Sequence, residues 1–167
     1  MKLLVESDLP VDAKTAWSLF ESEDFDARLE DAANIVGEVL DVSQDGDIKV
    51  RRLKYRSKTE LPTLVAKALG AKSLTYEQTN RFNPATGRMD WVVALPVLTD
   101  RVSVSGSTTI TDKPSGGCRR VVDGEITVRM RFVGGSIEKA VVAEFEKSMS
   151  RAVDLVRDLA REKGLAS

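Results

Sequence analysis

Residues 119–163 read RRVVDGEITVRMRFVGGSIEKAVVAEFEKSMSRAVDLVRDLAREK, and the spacing of their apolar side chains changes midway. Over 119–132 it is two: Val122, Gly124, Ile126, Val128, Met130 and Phe132 fall on one face, and Asp123, Glu125, Thr127, Arg129 and Arg131 on the other. That is a strand with one side against a core. Past Gly134-Gly135 the spacing becomes helical. Ile137, Val141, Phe145, Met149, Ala152, Val156 and Leu159 make one stripe over 137–163, with Ser136 placed to cap it. At about 1.5 Å per residue this helix is roughly 40 Å long. Arg161 and Lys163 suit its negative end, and Gly164 followed by Leu165 suits its stop. A one-sided strand leading into a one-sided long helix predicts that each covers the other.

Upstream, residues 2–7 form a first strand. Asp12 caps a helix carrying Ala16, Trp17 and Phe20. Ser22 caps a second helix, with Phe25, Leu29 and Ala32 or Ala33 inward and Asp24, Asp26, Glu30 and Asp31 toward water. Strand periodicity then runs over 35–42 and 48–60 about the Asp45-Gly46-Asp47 turn. Pro62 and Gly70 bound a short amphipathic helix with Leu64, Val65, Ala68 and Leu69. Strands 72–82 and 88–95 flank the turn at 83–87, and strands 101–111 and 119–132 flank the turn at 114–117. The fold class is α+β: a curved antiparallel sheet of about six or seven strands around a long C-terminal helix, with two short helices after strand one. Gly37, Gly106 and Gly124 are places for the sheet to bend. Ile48 and Val50 share their face with Arg52, Lys54, Arg56 and Lys58, which predicts a bulge near Arg51.

Composition narrows the function. With 42% hydrophobic and 31% charged residues the chain is globular, and 167 residues suit one domain, 1–167. Its 25 basic and 26 acidic residues nearly cancel, leaving no field to attract nucleic acid. There is no histidine and one cysteine, Cys118. Histidine-based triads, histidine metal sites and an internal disulfide are thereby excluded. No metal, cofactor or catalytic residue is expected. The acids of 24–31 lack calcium-loop spacing, and the glycines form no nucleotide-binding pattern. The N-terminal apolar run is too short for a signal peptide, and no segment is apolar enough to span a membrane, so the cytoplasm is the expected compartment.

The order of elements resembles the helix-grip architecture of the START-like superfamily, which includes polyketide cyclase-like and birch-pollen-allergen-like proteins. The stretch Leu9-Pro10-Val11-Asp12-Ala13-Lys14-Thr15-Ala16-Trp17-Ser18-Leu19-Phe20 is similar to that family's opening, and Gly134-Gly135 before an amphipathic helix also fits. The resemblance implies a pocket between sheet and helix for a lipid, sterol-like or polyketide-like molecule. It also implies an uncharacterised branch of the superfamily.

Strand phase supplies the candidate residues. With Leu53 and Tyr55 inward, so are Leu74, Tyr76, Gln78 and Asn80, then Met89, Trp91 and Val93, then Val104, Ile126, Val128 and Met130. Phe145 and Met149 close the space from the helix. Apolar walls with a few polar groups suit a small-molecule site. Inward Gln78 and Asn80 need partners, because an unpaired buried amide costs about 1–3 kcal/mol. A ligand, a water, the backbone or each other would serve. The 61–70 segment is either a lid or an ordinary connection, and the basic stripe from Arg52 to Lys58 is either a solvated outer face or a surface for phosphates or acidic lipid headgroups. Three functions stay open: a carrier of an apolar small molecule, a cyclase or dehydratase using Tyr55, Tyr76 or a buried carboxylate, and an interaction module or homodimer.

Overall fold

The computed structural model describes residues 1–96, 98–132 and 134–166. The elements are β1 (Lys2–Leu9), α1 (Ala13–Phe20), α2 (Glu23–Ala33), β2 (Ile35–Asp45) and β3 (Ile48–Glu60). There follow α3 (Thr63–Leu69), β4 (Ser73–Asn83), β5 (Arg88–Ala94), β6 (Val102–Asp112), β7 (Cys118–Val128) and α4 (Gly134–Glu162). Both expected caps are made: Asp12 accepts from the Thr15 backbone N–H, and Ser22 from that of Phe25. Asn34 and Gly70, both left-handed, end α2 and α3.

The strands form one antiparallel sheet in the order β1-β7-β6-β5-β4-β3-β2. From β2 onward each strand pairs with the next in sequence, with α3 set between β3 and β4, and β1 pairs with β7. Helix α4 packs against β1 and β7 and against α1 and α2. The sheet therefore wraps a long terminal helix, as the change of period predicted.

The inner face is read row by row from the register. Arg51, Asn80, Trp91, Gly106 and Gly124 stand side by side across five strands. Leu53, Gln78, Val93, Val104 and Ile126 form the next row. Two glycines meet at the first row because the Trp91 indole lies over both. A Cβ on Gly106 would come within 2.6 Å of Trp91 Cζ2, and one on Gly124 within 2.8 Å of Cη2. The indole N–H donates to Thr108 Oγ1 at 3.2 Å, satisfying a buried donor.

Four expectations need correction. Strand β7 stops at Val128, and Phe132 is 99% exposed at φ 67° rather than inward. The alternation persists in the sequence, but the Arg129 N–H turns to the Arg101 carbonyl, and the Val128 N–H is taken by Glu138. Helix α4 begins at Gly134, so Ser136 lies inside it rather than capping it. The bulge falls in β2, between Val39 and Asp41, while β3 keeps unbroken register with β4 from Lys49 to Arg56. Finally, Asp26 and Glu30 of α2 are half-buried: Asp26 pairs with Arg51, and Glu30 lies where a Cβ on Gly37 would be.

Candidate functional site

The expected inward residues do share one face. In register, Tyr55 meets Tyr76, Leu53 meets Gln78, Asn80 meets Trp91, and Val93 meets Val104. Their burial divides across the sheet. Leu53, Trp91, Val93, Ile126 and Val128 are buried, as is Val104. Tyr55, Leu74, Tyr76, Gln78, Asn80, Met89, Met130, Phe145 and Met149 are half-buried. The β6–β7 side is filled by the core around Leu3, Val122 and Val142. The β4 side is less covered, and its inner row from Leu74 to Asn80 keeps contact with solvent.

Helix α4 supplies the opposite wall. Phe145 stacks near Trp91, with centroids 6.3 Å apart and ring planes 19° apart. Tyr55 and Tyr76 lie 5.3 Å apart at the next rows. The Gln78 amide donates to Asn80 Oδ1 at 2.8 Å, so the amides satisfy one another in part. That bond uses one polar group of each, leaving Gln78 Oε1 and Asn80 Nδ2 for a ligand or water. Burial raises the Tyr55 hydroxyl above its ordinary range and pushes Tyr76 up to about 12. Both stay protonated at neutral pH, suited to donate hydrogen bonds rather than to act as bases.

One end of the inner face is covered by helix α1. Trp17 of α1 packs on Phe82 of β4, with centroids 4.5 Å apart. Ion pairs tie the helices to β3: Lys49 to Glu21 at 3.4 Å and Arg51 to Asp26 at 3.2 Å. The other end carries α3, whose Leu69 is buried while Leu64 is 75% exposed. A rim cleft of about 430 Å³ lies between residues 67–70 and 98–101. None of the expected site residues lines it. The outer basic stripe is exposed, and Arg52 pairs with Glu77 at 3.4 Å, as expected of a solvated face.

Arg120 is the inward residue that the sequence reading passed over. It lies on β7 in phase with Val122 and Gly124, and is only 6% exposed. The signal was available: a charge occupying a position of the apolar row. Cys118, also inward, is buried, and burial pushes its thiol up to about 11, which keeps it inert.

A family model described as "Protein of unknown function (DUF2505)" matches residues 5–159. Comparison with curated proteins finds no match. Among solved structures, the Zhui aromatase/cyclase from Streptomyces sp. R1128 is similar at 11% identity and TM-score 0.67, over 98% of this chain and 94% of that one. TTHA0849 from Thermus thermophilus is similar at 13% identity and TM-score 0.66, over 95% of each chain. A START superfamily protein from Mycobacterium smegmatis is similar at 14% identity and TM-score 0.63, over 95% and 98%. At these identities the likeness establishes the fold, which is the START-like helix-grip. Among the described residues no helix is long and apolar enough to cross a membrane.

Proposed function

The chain belongs to the DUF2505 family, and we propose that it binds an apolar small molecule in the groove between the inner faces of β3–β5 and the N-terminal half of α4. The observation that carries this reading is the uneven covering of the inner face. Tyr76, Gln78 and Asn80 stay half-buried although they point the same way as the buried Val93, Val104 and Ile126. Covering such a surface with a ligand releases water at about 25 cal/mol per Å² of apolar area. The Gln78–Asn80 pair would orient the occupant, and the protonated tyrosines would donate to it. Their protonation disfavours the cyclase reading in its base-catalysed form. The lack of a second cysteine suits action in the cytoplasm.

Titrating purified protein with dodecanol tests this. Thermal denaturation is expected to shift upward with ligand, because a ligand that binds only the folded state stabilises it. Tyr76→Glu, which places a charge in the groove, is expected to weaken binding at least tenfold. No shift with dodecanol, or an unchanged affinity in Tyr76→Glu, contradicts the proposal.

A further inference from the structure

We propose that the groove selects an amphipathic monoanion, a single carboxylate on an apolar body, with the carboxylate held by Arg120 at the end covered by α1. This deepens the binding reading above and rests on it. Arg120 is buried beneath α4, where among the described residues its Nη2 donates to Met149 Sδ at 3.3 Å. Its Nε and Nη1 have no hydrogen-bond partner, and no ion pair reaches it among the described residues. The guanidinium carbon lies over the Phe20 ring, 4.9 Å from the centroid, a cation–π contact. The other inward arginine, Arg51, has Asp26 as its counter-ion. The only other buried side-chain polar atom without a partner among the described residues is the neutral Trp17 Nε1.

A buried guanidinium without a counter-ion is costly, and proteins ordinarily pair such groups. Here its proton affinity registers the burial: the group is pushed down to about 10, with burial the cause. A carboxylate would fit the planar fork with two parallel hydrogen bonds and would cancel the charge. One buried positive charge calls for one negative charge, which favours a carboxylate over a phosphate dianion.

Position sets the orientation of the guest. Arg120 pairs with Ile110, three rows from Val104 and Gln78 along the inner face. Three rows are six residues, roughly 20 Å at strand rise. An acid anchored on Arg120 would therefore run its apolar body past Met89 and Trp91 toward Gln78 and Tyr76. Met149, flexible and half-buried, covers the guanidinium and can give way.

The test compares dodecanoate with dodecanol by titration calorimetry, in the wild-type protein and in Arg120→Met. The wild type is expected to bind the acid at least tenfold more tightly than the alcohol. Arg120→Met is expected to lose that preference while keeping its affinity for the alcohol. Should Arg120→Met fail to fold, Arg120→Lys is the second variant, expected to retain the preference in weaker form. A carboxyl-labelled dodecanoate followed by NMR gives an independent readout, its pKa in the bound state falling below the free value. Equal wild-type affinity for acid and alcohol, or a preference that survives in Arg120→Met, overturns the assignment while leaving the groove intact. Failure of both ligands to bind overturns the groove reading and this one together.

Discussion

Ligand-free Arg120→Met is expected to be more stable than the wild type, by about 2 kcal/mol and roughly 4–8 °C in the thermal midpoint. Removing a residue from a core usually destabilises it, so the sign discriminates. The wild-type guanidinium gives up its hydration and receives in exchange only a thioether contact and the face of Phe20. Methionine keeps most of the apolar stem and carries no charge to desolvate. The loss of the cation–π contact with Phe20 offsets part of the gain, at about 0.5–2 kcal/mol. A structural arginine would give the opposite result. Measured with and without dodecanoate, the variant should be the more stable protein alone and should gain less from the acid. Stability given up for a binding group is a common trade at functional sites. Chemical denaturation at matched protein concentration checks the sign.

Gly106→Val carries the other large effect. The side chain would strike the Asp123 carbonyl oxygen and the Trp91 indole, which come from two different strands. The backbone contact has no flexible end that can move away. We expect a loss of about 3 kcal/mol or more, in the upper range for overpacking. We also expect Trp91 to leave its place over Gly124 and lose its bond to Thr108, with a change in near-ultraviolet circular dichroism. Gly135→Ala, with nothing within 4 Å of its Cβ, serves as the mild control. Near-equal stabilities of the two variants would refute the packing described for Trp91.

Much of this was legible in the sequence because alternation fixes strand phase. Once Leu53 and Tyr55 were placed inward, the turn at 83–87 fixed Trp91 and Val93, and the register confirms that they share a face with Gln78. The helix stripe from Phe145 to Leu159 was equally readable, since its spacing has no competing period. Two features were not legible, each for a physical reason. Phe132 continued the strand pattern but sits where the chain must turn, and a left-handed backbone is invisible to periodicity. Asp26 and Glu30 looked like a solvated helix face, yet tertiary placement sets them against β2 and β3. Arg120, by contrast, is legible as a charge in phase with the apolar row of Val122 and Gly124. In the sequence, Gly106 and Gly124 predict a place for the sheet to bend. Their stronger role is to make room for an indole, which requires knowing that β5, β6 and β7 are neighbours.

Where a guest sits is decided most directly by isotope-filtered NMR, recording contacts between unlabelled dodecanoate and labelled protein. Its chain protons should show cross-peaks to Trp91, Tyr76 and Phe145, and its carboxyl-proximal protons to Met149 and Phe20. Cross-peaks confined to Leu69 and Leu98, at the rim cleft, would mean that the space under α4 is not where this protein holds its ligand.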